Sequence, residues 1–152
     1  MSLVQSTWWI VLMQVAIWLG YVTFGFVSDA AGRKKTYIGY VLIAAALVPV
    51  YGAMRKPVAL MLLGPLVAFF GTGYFTGFGI ISAELFPTRI RATAQGFSYN
   101  LGRGVSAIAP YTVGSLAQIY GLGAAFSVTS AAFLLAALFA LGIPETKNTR
   151  LR

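Results

Sequence analysis

The sequence contains no cysteine and no histidine, and it has three acidic residues against eleven basic ones. The two absent residue types exclude disulfide bonds, thiol catalysis and the usual zinc sites. Charged residues make up 9% of the chain, whereas a soluble domain carries about 25%. Because 59% of the residues are hydrophobic, more than a core of 152 residues could hide from water, we predict an integral membrane protein.

Charged and turn-forming residues divide the chain into five apolar segments of 19 residues or more. About 20 helical residues cross the hydrocarbon layer of a bilayer, and backbone groups in lipid must be hydrogen-bonded within their own segment. These segments are therefore predicted to be transmembrane helices. The predicted fold class is an all-α membrane protein with helices at 8–27, 36–54, 58–83, 93–120 and 122–143.

The basic residues gather at one end of these helices. If successive helices alternate in direction, Arg55 and Lys56 lie on one side of the membrane. The other side holds Arg33, Lys34, Lys35, Arg89, Arg91, Lys147, Arg150 and Arg152. Because positive residues stay cytoplasmic, we predict a multi-pass protein of the cell membrane with its N-terminus outside and its C-terminus inside. No basic face indicates a nucleic-acid partner, and membrane lipid is the expected contact.

A short pattern occurs twice in the chain. The GxxxDxxG pattern at 25–32 returns 89 positions later as GxxxQxxG at 114–121. This shift places the fourth predicted helix on the first and the fifth on the second, and the equivalent of the third falls before Met1. We therefore expect two copies of a three-helix unit with opposite membrane topology, which is typical of transporters. The first copy is predicted to lack its opening helix.

Three stretches predicted to share the cytoplasmic side read "GFVSDAAGRKK", "SAELFPTRIRAT" and "IPETKNTR". Together they resemble the major facilitator superfamily, and the last two resemble its sugar porters and metabolite:proton symporters. "GFSYNLGR" is most similar to the relatives that carry aromatic acids or sialic acid. The resemblance implies that residues 1–152 are helices eight to twelve of a twelve-helix transporter. Its expected partners are the N-terminal half and helix seven.

The first of these stretches is predicted to form a tight hairpin. Gly25 has no side chain, so a neighbouring helix could approach closely. Asp29 lies near the end of the first helix, and Gly32 permits a left-handed turn.

The resemblance supplies partners for the basic residues of this hairpin and implies a cytoplasmic gate. In this hypothesis Arg33 pairs with Glu84, and Glu145 forms further links with Arg89 or Arg91. The alternative interpretation is that the basic residues are topology signals and lipid-phosphate contacts. The predicted gate consists of Gly25, Asp29, Gly32, Arg33, Lys34, Glu84, Arg89, Arg91 and Glu145.

Arg103 is the residue most expected to meet a solute. It follows Arg91 by twelve residues, which is about 18 Å of helix and places it deep in the bilayer. A charge there is costly, and its planar guanidinium suits a carboxylate. The alternatives are a structural pair with an acid of the missing half, or snorkelling toward the cytoplasm. The other predicted substrate-binding residues are Asn100, Tyr99, Gln14 and Tyr74.

These observations predict part of a secondary transporter that moves a small organic solute by alternating access, coupled to protons. Arg103 favours a carboxylate over a sugar. We expect no enzymatic activity, no cofactor and no metal. The alternative is a truncated, non-transporting membrane protein, or a subunit that pairs with another facilitator chain.

Overall fold

The computed structural model describes residues 3–147, so Arg150 and Arg152, counted above, lie outside the described residues. The regular structure in this range is helical, which confirms the predicted all-α fold class. In chain order the helices are α1 (Leu3–Ala31), α2 (Arg33–Ala53), α3 (Pro57–Leu85), α4 (Arg91–Ser106), α5 (Ala109–Tyr120) and α6 (Leu122–Leu141). Among these residues α1, α2, α3 and α6 each contain a segment long and apolar enough to cross a membrane.

The surface of the helix bundle is largely hydrocarbon. Trp8, Phe26 and Phe139 are 65%, 74% and 76% exposed. On a soluble protein, an exposed apolar area of this size marks a site that binds another protein or a membrane. On a transmembrane helix, it is the ordinary face that contacts lipid. The chain is therefore built to sit in a bilayer.

Glycines bring α1 and α3 into close contact. A Cβ added at Gly20 would collide with the carbonyl group of Phe69, and one added at Gly73 would lie 2.9 Å from the Gly20 oxygen. At Gly77 the added atom would be 2.5 Å from the Phe24 ring. Small residues therefore set the spacing of these helices, as is common between helices in lipid.

Helix α2 lies between α3 and α6. The Tyr40 ring lies 5.1 Å from Phe24 and 5.1 Å from Phe70, centroid to centroid, and its hydroxyl is 3.0 Å from the Thr23 hydroxyl. On the other side, the Ser130 hydroxyl of α6 donates to the Ala45 carbonyl at 2.5 Å. Aromatic packing and interhelical hydrogen bonds thus hold α2 in place.

The segment predicted as one helix at 93–120 consists of two helices, α4 and α5, which meet at residues 107–108. Pro110 has no N–H group and cannot continue the α-helical hydrogen bonding. The last turn of α4 tightens instead, with the Ile108 N–H bonded to the Val105 carbonyl at 3.4 Å. Both helices are at least partly exposed along their whole length, and α4 packs loosely against α3.

Two turns in the chain have the same backbone form. Gly32 joins α1 to α2 with φ +108° and ψ 148°, and Gly121 joins α5 to α6 with φ +84° and ψ 168°. They are the glycines with positive φ within residues 3–147, and they are 89 positions apart. The shared backbone form supports the internal repeat predicted from the sequence.

Candidate functional site

Charged and polar side chains meet where α1 ends, α2 begins and α3 ends. Arg33 forms ion pairs with Asp29 and with Glu84, and its Nε lies 3.2 Å from Glu84 Oε1. Its Nη1 also donates to the Ser28 hydroxyl at 2.9 Å. The side chains of Arg33 and Glu84 are 17% and 15% exposed, so this pair is shielded from solvent. We call Asp29, Arg33, Glu84, Glu145 and Thr146 the charge cluster.

Glu145 binds the N-terminus of α2. Its Oε1 accepts the backbone N–H of Arg33 at 2.8 Å and that of Lys147 at 3.1 Å. The first N–H groups of a helix have no partner within the helix and attract a negative charge. A Cβ at Gly32 would lie 2.7 Å from Glu145 Oε2, so the carboxylate would have to shift to accommodate any other residue at this position.

The pKa of the Glu145 carboxyl reflects this environment. Burial raises the pKa, but the backbone N–H groups of Lys147, Arg33, Lys34 and Thr146 outweigh burial and hold the pKa below its ordinary value. The carboxylate is therefore charged at neutral pH.

The segment after α6 also ties the ends of three helices together. The Thr146 hydroxyl donates to Glu84 Oε2 at 2.5 Å, and Lys147 Nζ donates to the Ala30 carbonyl at 2.6 Å. In the opposite direction, Lys34 Nζ donates to the Leu141 carbonyl at 2.6 Å. The segment after α6 thus fastens α1, α2 and α3 to α6.

Parts of the predicted gate lie elsewhere. Within residues 3–147 the ion pairs are Arg33–Asp29 and Arg33–Glu84, so the structure does not show the predicted links of Glu145 to Arg89 or Arg91. The Glu145 oxygens bind backbone N–H groups instead. Arg91 Nε donates to the Phe86 carbonyl at 3.2 Å, and Arg89 is exposed.

Within residues 3–147 the structure also shows no close helix contact at Gly25. A Cβ added there would meet no atom within 4 Å. The contact glycines of α1 and α3 are Gly20 and Gly73 instead.

A cavity of about 560 Å³ lies between α2, α3 and α4, and we call it the central cavity. This volume falls within the range of small-molecule sites, about 300–1,000 Å³. The groups around it that can form hydrogen bonds belong to Tyr37, Tyr74, Ser98, Tyr99, Arg103 and Ser106.

Aromatic rings form much of the wall of the central cavity. Tyr37 meets Tyr74 edge to face at 5.7 Å, and Tyr74 stacks on Phe75 at 4.8 Å. Phe78 lies 6.2 Å from the Tyr99 ring. We had not predicted Tyr37, Phe75 or Phe78 as site residues. The spacing of Tyr74 and Phe78, four residues apart on one face of α3, is a signal that could have found Phe78.

Arg103 carries the positive charge of this cavity. Its Nη1 donates to the Tyr99 hydroxyl at 3.1 Å, and its Cζ lies 5.7 Å from the Tyr99 ring centroid. All three acidic side chains of the chain, Asp29, Glu84 and Glu145, belong to the charge cluster. The guanidinium therefore faces the cavity without an acidic side chain of this chain as its counter-ion.

Two predicted binding residues lie outside the central cavity. Asn100 is on α4, but its Nδ2 donates to the Gly96 carbonyl at 2.8 Å. Gln14 is exposed on α1, a helix that contributes nothing to the described lining. Tyr74, Tyr99 and Arg103 are the predicted residues that the structure brings together.

Comparison with known proteins decides the family. A model of the Major Facilitator Superfamily matches residues 1–152, the whole chain. The chain belongs to the major facilitator superfamily. Its apolar helices are accordingly those of a multi-pass membrane protein.

Individual members of the superfamily resemble the chain at moderate identity. The cis,cis-muconate transport protein of Acinetobacter baylyi is 34% identical over 89% of the chain and 33% of its own length. The sialic acid transporter of Escherichia coli is 32% identical over 82% of the chain and 32% of its own length. The niacin transporter of Acinetobacter baylyi is 29% identical over 74% of the chain and 26% of its own length. The chain spans about a third of the length of the curated relatives it matches first.

Proposed function

We propose that the chain is the C-terminal part of a secondary active transporter in the cell membrane. The complete protein moves a small organic solute by alternating access, coupled to protons. Its expected partners in the complete transporter are an N-terminal half and helix seven. The N-terminus of the chain lies outside and its C-terminus in the cytoplasm, since basic residues concentrate at the end of the bundle that holds the charge cluster.

Arg103 is the observation that carries the choice of an organic anion. A buried or membrane-embedded guanidinium requires a counter-charge, and no acidic side chain of this chain supplies one. A planar carboxylate can accept two parallel hydrogen bonds from a guanidinium. The aromatic wall beside it offers apolar surface for the rest of a small solute.

The names of several relatives agree with this choice. They include transporters named for cis,cis-muconate, niacin and sialic acid. All three compounds carry a carboxylate group. The substrate of this chain is accordingly expected among small carboxylic acids rather than neutral sugars.

In this account the charge cluster is the cytoplasmic gate. It joins α1, α2, α3 and the segment after α6 when the carrier is closed on that side. Its links must break when the carrier opens inward. Two states that differ in free energy by a few kcal/mol interconvert readily. A small number of shielded ion pairs and hydrogen bonds contributes a free energy of this order, which suits a gate that must open and close.

The test is uptake of labelled carboxylates and labelled sugars by the complete transporter that contains this chain. We expect Arg103→Lys to reduce carboxylate uptake sharply while the amount of protein in the membrane is unchanged, because a lysine cannot form the paired hydrogen bonds. Arg55→Lys, at an exposed position outside the lining of the central cavity, is the matched control. Wild-type uptake by the Arg103 variant would refute the proposed role.

A reconstitution experiment distinguishes this function from the alternative of a non-transporting subunit. The isolated chain, placed in liposomes, is expected to show no uptake because the site of such transporters forms between two repeats. Uptake should appear when the missing part is supplied. Uptake by the isolated chain would contradict the proposed division of the transporter.

A further inference from the structure

Helix α2 contains a proline in its interior, Pro49. A proline has no N–H group, so the carbonyl four residues before it loses its α-helical donor. In α2 this carbonyl belongs to Ala45, which is 4% exposed, so water has little access to it. A buried carbonyl without a donor is costly, and α2 therefore needs a substitute for the missing N–H group at this point.

A serine of α6 donates a hydrogen bond to this carbonyl. The Ser130 hydroxyl lies 2.5 Å from the Ala45 oxygen. Its neighbours on α6 behave differently, since Ser127 and Thr129 donate to carbonyls one turn earlier in their own helix, at 2.9 Å and 3.1 Å. Bonding within the same helix is the ordinary arrangement for helical hydroxyl groups. Ser130 instead crosses to the carbonyl that the proline leaves without its helical donor.

This bond lies in the middle of a long interface between α2 and α6. Near the start of α2, Lys34 Nζ donates to the Leu141 carbonyl at 2.6 Å. Beyond the proline, a Cβ added at Gly52 would lie 2.5 Å from the Phe126 ring. The two helices therefore run antiparallel, with the Ser130 bond between these contacts. Both can cross a membrane, and the hydrocarbon of a bilayer offers no alternative donor.

The predicted repeat contains the proline and the serine once only. Under the shift of 89 positions, Leu138 of α6 is equivalent to Pro49, and Val41 of α2 is equivalent to Ser130. Leucine keeps its N–H group and valine has no hydroxyl, so these positions supply neither a freed carbonyl nor a donor. The proline and the serine are thus present together in one arrangement and absent together in the other.

We propose that Pro49 and Ser130 act as one unit, in which the Ser130 hydroxyl replaces the N–H group that the proline lacks and thereby positions α2 on α6. Ser130 is a positioning residue because α2 carries Arg33 of the charge cluster and Tyr37 of the central cavity near its start. The bond fixes the part of α2 that follows them. It concerns how two helices are held together, so it does not rest on the proposed function.

A double-mutant cycle in the complete transporter tests whether the two residues are linked. Ser130→Ala removes the donor, and Pro49→Ala restores an N–H group that can bond to the Ala45 carbonyl. In the presence of Pro49, we expect Ser130→Ala to raise the unfolding equilibrium constant roughly 5- to 100-fold. In the Pro49→Ala background the same substitution should raise it about threefold or less, an average effect for a polar contact between helices in lipid. The constant is measured by titrating the solubilised protein with a denaturing detergent.

Three further variants separate the hydrogen bond from packing. Ser130→Thr keeps a hydroxyl group and should stay close to the parent in stability. Pro65→Ala restores an N–H group in α3 instead of α2, so it is the matched control and should leave the effect of Ser130→Ala undiminished. Pro49→Leu gives a second route to the same cycle if Pro49→Ala fails to fold.

Spin labels report the position of α2 independently of stability. The chain has no cysteine, so Val50→Cys and Val128→Cys, at exposed sites on α2 and α6, can be labelled in a complete transporter freed of other cysteines. We expect one narrow distance distribution in the parent and a broader one in Ser130→Ala. Adding Pro49→Ala to Ser130→Ala should make the distribution narrow again.

The opposite results would overturn the proposal. Equal losses from Ser130→Ala in both backgrounds would show that the serine and the proline act independently, and no loss in the parent would show that the bond holds nothing. A loss of stability with an unchanged distance distribution would refute the positioning role. None of these measurements needs transport, so their failure is distinguishable from wild-type uptake by Arg103→Lys.

Discussion

The two hairpins that turn at Gly32 and Gly121 have similar backbone conformations but different neighbouring side chains. Gly32 and Gly121 adopt similar positive φ values, 108° and 84°, and each begins the helix that follows. Gly32 is buried, and an added Cβ would strike the Glu145 carboxylate, whereas an added Cβ at Gly121 would meet nothing within 4 Å. The two turns thus share a backbone form, and within residues 3–147 charged residues fasten only the first of them to other helices.

This difference explains why charge is concentrated in so few positions. In the first hairpin the Arg33 N–H at the start of α2 donates to the Glu145 carboxylate from the segment after α6, and the Arg33 side chain pairs with Glu84 of α3. In the second hairpin α5 and α6 pack against each other, and Gly121 is exposed. A hairpin that is fastened to other helices can act as a gate when its links break.

Substitution of the two glycines is expected to have the largest effect on this comparison. In Gly121→Ala the strained backbone costs about 1–3 kcal/mol. In Gly32→Ala the same strain is joined by displacement of the exposed Glu145 carboxylate from the N-terminus of α2, which adds about 0.3–1 kcal/mol. Thermal unfolding in detergent should therefore rank Gly32→Ala below Gly121→Ala. Equal losses would show that Glu145 contributes nothing to the first hairpin.

Glu84→Gln should have the next largest effect. Both Glu84 oxygens are engaged, one by Arg33 and the other by Thr146, and the amide cannot accept at both. We expect the closed form of the charge cluster to lose about 1.5–3 kcal/mol, measured as a lower unfolding temperature together with a changed uptake rate.

Lys35→Gln, at an exposed position beside the charge cluster, is the control for Glu84→Gln. It removes one positive charge and no described contact of the cluster, so it should leave the unfolding temperature and the uptake rate unchanged. Unaltered stability and uptake in Glu84→Gln would contradict the gate.

A smaller effect is expected from acid. The pKa of Glu145 is lowered in the folded protein, so its contribution to stability is fully present above its ordinary pKa of 4.5 and is lost as the pH falls through the lowered value. Unfolding temperatures measured between pH 7 and about pH 3 should fall more steeply for the parent than for Glu145→Gln. Parallel curves would show that Glu145 is not held by the N-terminus of α2.

The smallest effect is expected from alanine substitutions at the helical glycines that precede the two turns. Gly25 and Gly114, at equivalent positions of the repeat, lie inside helices, and an added Cβ at either would meet nothing within 4 Å. Alanine at either position of this chain should stabilise its helix by about 0.5–1 kcal/mol. A marked loss of stability in Gly25→Ala, measured on the same chain, would contradict this expectation, because it would mean that another group packs closely against Gly25.

Local rules predicted much of the first hairpin. Gly32 was expected to adopt positive φ because a tight turn between helices requires it, and the same pattern led to Gly121. The contact between Arg33 and Glu84 came from the family resemblance, and the two side chains lie together in the structure. The apolar segments predicted the helical fold class, because few backbone conformations other than the helix satisfy their hydrogen bonds in lipid.

Contacts between distant parts of the chain were harder to predict. Glu145 binds the N-terminus of α2 rather than an arginine side chain because of the path that the chain takes after α6. No local sequence pattern encodes this path. Tyr37 joins the central cavity because α2 packs beside α3. The division between α4 and α5 was missed because hydropathy does not distinguish one kinked helix from two, even with Pro110 in view.

The distance between the start of α2 and the segment after α6 tests the gate most directly. Spin labels at Lys35→Cys and Pro144→Cys, both exposed positions at the end of the bundle with the charge cluster, report this distance in the complete transporter. We predict one short distance in the parent and an added longer population in Glu84→Gln. A distance distribution that Glu84→Gln leaves unchanged would contradict the account.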